Sequence, residues 1–163
     1  MKRIVLIAVL MLTAVLFCVP VSFAQEEEKP IVLFTSDISP EGLVSIYEAL
    51  GWEPGENVAV KLSTGESEKS NYLRPELIAD LVQQLDATIV ECNTAYSGSR
   101  AATAEHYQVA EDRGYTEIAP FQILDEYGSM EIPVTNGIRI ESDLVGAHFA
   151  DYDSYSFHLH SFN

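Results

Sequence analysis

The most informative stretch of the sequence is residues 88–96, TIVECNTAY. Its first three residues are apolar or β-branched, which is typical of a short buried strand. The strand then ends in a carboxylate, a thiol, an amide, a hydroxyl and a phenol. In open α/β sheets, ligands bind just beyond the carboxyl ends of the strands. We therefore expect a buried strand that delivers polar side chains to a binding site.

Strand and helix patterns alternate on both sides of this stretch. Proline follows a serine cap at residue 40, and apolar residues then recur at helical spacing until Gly51. Three alternations of this kind predict βαβ units, hence a mostly parallel sheet in a three-layer α/β fold. The predicted strands are residues 31–34, 58–62, 87–90 and 121–124, and the predicted helices are residues 40–50, 75–85 and 99–113.

The C-terminal part departs from this alternation. Asn136 and Gly137 form a turn dipeptide between two β-prone runs, which predicts a small hairpin of residues 130–134 and 138–140. Ser142 is in a position to cap a short helix, and residues 154–159 are expected to form the last strand.

The N-terminus has the pattern of a secretory signal peptide. Lys2 and Arg3 precede an apolar run of residues 4–21, and the small residues Ser22 and Ala24 follow at the positions that a signal peptidase reads. We predict cleavage after Ala24, with residues 25–30 forming an acidic linker and residues 31–163 a single domain. The alternative is an uncleaved membrane anchor. Cleavage predicts a periplasmic or extracellular protein that contacts a membrane only through its signal peptide.

Charge and cysteine content exclude several functions. The formal net charge is −16, which opposes binding to nucleic acids and to anionic membranes. Cys18 lies in the predicted signal peptide, so Cys92 would be alone in the mature chain. A single cysteine forms no internal disulfide and no ferredoxin-type cluster.

The predicted site combines the carboxyl ends of neighbouring strands, which meet at one edge of a parallel sheet. Lysine, carboxylates, a thiol and hydroxyls would share that edge, and Arg100 begins a helix, where a cation is unfavourable unless it has a partner. The candidate ligand-binding residues are Lys61, Ser63, Thr64, Glu66, Glu91, Asn93, Thr94, Tyr96 and Arg100. We expect a small-molecule or anionic ligand.

Three of these strand-end residues are also catalytic candidates: Lys61, Glu91 and Cys92. A lysine at the end of a buried strand needs a partner, and Glu66 or Glu91 is the natural one. Lys61 would then be an anion clamp, a lysine with a lowered pKa, or half of a structural salt bridge. Cys92 would be a nucleophile assisted by His106 or Arg100, a metal ligand, or a packing residue.

Several stretches together resemble the domain-of-unknown-function 362 family. They are residues 58–66 (VAVKLSTGE), 72–77 (YLRPEL), 90–96 (VECNTAY), 118–120 (IAP), 133–134 (PV), 145–146 (VG) and 152–154 (YDS). The family has no assigned reaction, and some relatives carry a ferredoxin-type cysteine cluster further along their chains. After residue 154 this sequence departs from the family pattern, which predicts an incomplete C-terminal part and a tendency to self-associate. His158 and His160 alternate on this segment and are candidate metal ligands.

Three functional hypotheses follow. The first is an exported domain with a small-molecule, anion or metal site at the strand ends. The second is an iron–sulfur or redox-associated protein, which only the resemblance suggests. The third is a non-catalytic remnant or interaction module. Whether the protein is an enzyme stays open, as does the identity of any cofactor.

Overall fold

The computed structural model describes residues 30–66 and 69–157. The chain divides into two units between Val32 and Leu33, and every helix and strand given below lies in the second. The predicted signal peptide, residues 25–29 of the predicted linker, His158 and His160 lie outside the described residues. Within the described ranges, no helix is long and apolar enough to cross a membrane.

The fold is α/β, as the alternation predicts. Its elements follow in chain order: α1 (Pro40–Leu50), β1 (Val58–Lys61), α2 (Pro75–Gln84), β2 (Thr88–Glu91), α3 (Thr103–Asp112), α4 (Tyr115–Ile118), β3 (Phe121–Ile123), β4 (Ser129–Pro133), β5 (Ser142–Gly146), a 3₁₀ helix (Ala147–Asp151) and β6 (Ser154–Phe157). The main sheet has the order β3-β2-β1-β6 with all neighbours parallel, and β4 and β5 form a separate antiparallel hairpin.

The two faces of the main sheet carry different layers. Side chains alternate along a strand, so Val58 and Ile89 lie on one face and Ala59 and Val90 on the other. The first face, here called the helical face, packs against the buried side chains of α2, α3 and α4, and Leu43 of α1 also packs there. The second face, here called the hairpin face, lies against Leu124, the 3₁₀ helix and the end of the hairpin.

Helix ends follow the sequence signals. The Ser39 hydroxyl accepts a hydrogen bond from the Gly42 amide at 3.0 Å, and Pro40 occupies the first turn of α1. Gly51 ends α1 with φ of 62°, a left-handed conformation that glycine adopts without steric cost. α3 begins at Thr103 and not at residue 99, because residues 99–102 form a turn. α4 was not predicted.

The prediction of a buried strand at residues 31–34 is wrong. This segment has no strand structure, and the Phe34 side chain is 89% exposed. The apolar pattern indicated a strand that would enter the sheet before β1. However, β6 pairs with β1 on the side opposite β2, so that position in the sheet is occupied.

The predicted hairpin is right in its first strand and wrong in its second. Residues 138–140 lie in the loop, and the strand that pairs with β4 is β5, where a helix beginning at Ser142 was expected. Asn136 does adopt the turn conformation, with φ of 60°. The structure anchors β5 beyond the turn, because Gly146 packs directly on the backbone of Leu124.

Candidate functional site

Strand alternation divides the predicted site between the two faces of the sheet. Glu91 follows Ile89 on the helical face, and Thr64 lies with it. Cys92 follows Val90 on the hairpin face, where Lys61 follows Ala59. The sequence brings these residues to one edge, as predicted, but they form two separate groups there.

The group on the helical face is a buried hydrogen-bond network around Glu91, whose residue surface is 3% exposed. Glu91 Oε1 accepts hydrogen bonds from the Thr64 amide at 2.6 Å and the Thr64 hydroxyl at 2.9 Å. Arg100 Nη1 donates to the same oxygen at 3.1 Å. His106 Nε2 lies 3.6 Å from it. The carboxylate at the strand end is therefore satisfied by protein groups.

The protonation of Glu91 reflects these contacts. Burial alone raises the pKa of a carboxyl group, because the charged form loses its hydration. The contact with His106 and the hydrogen bond from the Thr64 amide outweigh burial, and the pKa of Glu91 falls from 4.5 to about 2. Glu91 is therefore an anion at neutral pH, and Arg100 is its closest cationic partner at 3.1 Å.

Arg100 extends the network to the surface. Its Nη1 donates to the Ser63 hydroxyl at 3.0 Å, and its Nη2 pairs with the Glu66 carboxylate. The Tyr96 hydroxyl donates to Glu66 at 2.7 Å. The hydrogen bonds from Arg100 and Tyr96 lower the pKa of Glu66. Arg100, which lies in the turn before α3, thus has two carboxylate partners within the protein.

Asn93 and Thr94 have structural partners as well. The Asn93 side-chain amide donates to the Thr103 hydroxyl at 2.9 Å, and its Oδ1 lies 3.3 Å from His106 Nδ1. Thr94 donates through its hydroxyl to the Tyr96 carbonyl at 3.1 Å. Together these contacts fix the loop after β2 against the start of α3.

The predicted ion pair of Lys61 with Glu66 or Glu91 is wrong for the described residues. Arg100 makes those ion pairs instead. Lys61 Nζ donates to the Leu62 carbonyl at 2.8 Å. The physical reason is alternation, because Lys61 leaves the strand on the hairpin face while Glu91 leaves on the helical face. Arg100 can reach both carboxylates from the segment that precedes α3.

The group on the hairpin face lines an open cavity of about 360 Å³. Its polar lining residues are Lys61, Cys92, Asp125 and Ser129. Its apolar lining residues are Leu124, Leu144, Val145, Gly146, Phe149, Tyr155 and Phe157. Ligand pockets of this kind are mostly apolar with a few polar groups and have volumes of roughly 300–1,000 Å³. The cavity has the composition of a small-molecule pocket.

Cys92 is half-buried in this cavity. Burial and the nearby Asp125 carboxylate raise the pKa of its thiol, although Lys61 opposes that shift. His106, the histidine considered as its activating base, instead contacts Asn93, Thr64 and Glu91. The geometry therefore gives Cys92 a neutral thiol in the pocket wall rather than an activated nucleophile.

Metal ligands are not clustered in the described ranges. Among residues 30–66 and 69–157, no group of three or more histidine, cysteine or acidic side chains could hold a metal ion. The candidate ligands His158 and His160 fall outside those ranges, so the metal hypothesis for them stays a prediction.

Sequence reasoning missed most of the cavity wall. Asp125 follows the end of β3 as Cys92 follows β2, so the same strand-end rule applied to residues 121–124 would have found it. Tyr155 and Phe157 alternate on β6 and therefore share a face. Gly146 and Phe149 carry no such signal, because the hairpin and the 3₁₀ helix bring them to the sheet only through tertiary contacts.

Comparisons with protein-family models, with curated proteins and with solved structures found no match to this chain.

Proposed function

We propose that this protein binds a small organic anion in the cavity on the hairpin face of the sheet. One observation carries the proposal: Lys61 places an ammonium group in the wall of a mostly apolar cavity at the carboxyl end of a parallel sheet. Its described hydrogen bond goes to the Leu62 carbonyl, which uses one of three N–H donors. The remaining donors suit a carboxylate or a similar anion.

The network on the helical face supports Lys61, rather than Arg100, as the cation that binds the anion. Arg100 is another cation near the strand ends, but Glu91 and Glu66 already neutralise it. An incoming anion would have to displace a buried carboxylate from Arg100, which costs several kcal/mol when a buried ion pair is broken. Binding to Lys61 requires no such displacement, because Lys61 forms no ion pair among the described residues.

Two separate inferences concern the family of the chain and its export. We infer that the chain is a member of the domain-of-unknown-function 362 family, supported by the quoted stretches, several of which fall on strands or just beyond strand ends in the described residues. We also infer export, supported by the N-terminal sequence pattern alone. Neither inference is needed for the cavity to bind an anion.

The proposal is tested by thermal unfolding of the protein with acetate, phenylacetate, phosphate and chloride. A ligand with a dissociation constant of about 1 mM, added at about 20 mM, raises the free energy of unfolding by about 1.8 kcal/mol. We expect an organic anion to raise the Tm of the wild type and to leave the Tm of Lys61→Met unchanged.

Lys69→Met is the matched control, since it removes an equal charge from an exposed position. It should keep the ligand response of the wild type. An equal loss of response in both variants would show that net charge, and not the cavity, governs binding. If no organic anion raises the wild-type Tm, the proposed function is wrong.

A further inference from the structure

Three aromatic side chains form one continuous wall of the cavity. Phe149 and Tyr155 are stacked, with ring centroids 4.6 Å apart and planes 16° apart. Tyr155 and Phe157 are also stacked, at 5.8 Å and 22°. The Tyr155 hydroxyl donates to the Phe149 carbonyl at 2.8 Å, which holds the centre of the wall in place.

The wall ends beside the ammonium group. In the parallel pairing of β6 with β1, Phe157 lies directly opposite Lys61. Neighbouring strands are about 4.8 Å apart, so these two side chains leave the same face of the sheet side by side. Phe157 is the last ring of the wall and is 60% exposed. An aromatic surface therefore adjoins the Lys61 ammonium group.

The size of the cavity limits what it can hold. Its volume is about 360 Å³. A dry cavity of about 150 Å³ is enough for benzene. The space therefore suits one ring with a short substituent, or a fused pair of rings. Gly146 and Leu124 both line the cavity, and a methyl group on Gly146 would lie 2.5 Å from the Leu124 backbone.

Asp125 sets the charge that the cavity accepts. Its carboxylate lines the cavity and accepts a hydrogen bond from the Asn93 amide at 2.9 Å through Oδ1. A second negative charge on a ligand would meet this carboxylate and be repelled. The lining thus favours one negative charge, placed at Lys61.

We propose that the ligand is an aromatic monocarboxylate whose ring lies against the wall of Phe149, Tyr155 and Phe157 and whose carboxylate binds Lys61. This inference rests on the proposed function and narrows it to a chemical class. Aromatic rings prefer offset-stacked or edge-to-face contact with one another, which a saturated ring does not reproduce. The carboxylate accepts charge-assisted hydrogen bonds from the ammonium group.

The test compares four probes by isothermal titration with the full chain: phenylacetate, cyclohexylacetate, 2-phenylethanol and benzene-1,4-dicarboxylate. We expect phenylacetate to bind about threefold to tenfold more tightly than cyclohexylacetate, the range that an aromatic contact supplies. The neutral alcohol and the dianion should each bind at least tenfold more weakly than phenylacetate.

Two variants separate the parts of the inference. Phe157→Leu should remove the preference for phenylacetate over cyclohexylacetate and keep the preference for acid over alcohol. Lys61→Met should do the reverse. Phe149→Leu is a second wall variant in case Phe157→Leu fails to fold, and circular dichroism establishes folding for each variant.

Failure of this inference is distinguishable from failure of the proposed function. If both monocarboxylates bind with equal affinity and both need Lys61, the cavity binds organic anions but does not select aromatic rings. Equal binding of the dianion would contradict the role of Asp125 and the limit to one charge. If the wild type binds neither monocarboxylate, the proposed function itself is refuted and this inference with it.

Discussion

Replacing Glu91 by glutamine tests the buried network most directly. The substitution keeps the shape of the side chain but removes the negative charge from the oxygen that accepts hydrogen bonds from Thr64 and Arg100. Arg100 retains Glu66 as a partner, so the variant does not leave an isolated buried cation. We expect Glu91→Gln to fold and to be less stable than the wild type at neutral pH.

The magnitude follows from the pKa of Glu91. The pKa is about 2 in the folded protein and 4.5 for a glutamate without these contacts. The folded-state pKa is lowered, so the stabilisation is fully present above the unfolded pKa and is lost as the pH falls toward the folded pKa. Each pKa unit corresponds to about 1.4 kcal/mol, which makes the contribution roughly 3 kcal/mol at pH 6 and about 2 kcal/mol at pH 3.5.

Urea unfolding followed by circular dichroism measures this difference. The free energy of unfolding is extrapolated to water for the wild type and for Glu91→Gln at pH 6, 5, 4 and 3.5. The gap between the two proteins should narrow by about 1.4 kcal/mol between pH 6 and pH 3.5. Other carboxylates titrate in both proteins, so their contributions cancel in the difference.

Glu48→Gln on α1 is the control, because this side chain is exposed. Its difference from the wild type should stay within about 0.5 kcal/mol, as is usual for surface substitutions. A gap between the wild type and Glu91→Gln that is the same at pH 6 and pH 3.5 would refute the reasoning. Glu91 would then stabilise the fold through its shape and not through its charge.

Three further predictions concern packing and reactivity. Gly146→Ala should lower the urea midpoint by the equivalent of about 1–3 kcal/mol, because the new methyl group would lie 2.5 Å from the backbone of Leu124. Tyr115→Phe, which removes a hydrogen bond from a fully buried ring to a main-chain carbonyl, should cost about 1–2 kcal/mol in the same assay. Iodoacetamide should alkylate Cys92 more slowly than a free thiol at pH 8, and Asp125→Asn should speed the reaction because it removes a cause of the raised thiol pKa.

Much of the fold could be predicted because its signals are local. The cap at Ser39, the prolines at the starts of α1 and α2, and Gly51 each act within one turn of helix. The alternation of strand and helix then gave a parallel sheet, since two parallel strands need a crossover connection between them. Residues 31–34 carried an equally good strand pattern but failed, because pairing depends on which strand occupies the edge of β1.

The position of the candidate site at one edge of the sheet could be predicted from the sequence. Its separation into two groups on opposite faces could not. The strand-end rule located Lys61, Glu91 and Cys92 at one edge of the sheet. It did not separate the residues that satisfy one another from those that face a cavity. Strand alternation makes that separation, because it directs Glu91 and Lys61 to opposite faces of the sheet. Arg100 then pairs with Glu91 and Glu66.

Local sequence patterns specify the α/β class, the alternation of strands and helices that gives a parallel sheet, and the edge where polar groups collect. Periodicity and helix caps act over a few residues, so they can be recognised in the sequence. Long-range packing places β6 beside β1, Gly146 on Leu124, and Phe157, the last of three aromatic rings, beside Lys61. These contacts join segments that are far apart in the chain, and whether they form depends on which of several competing surfaces pack best.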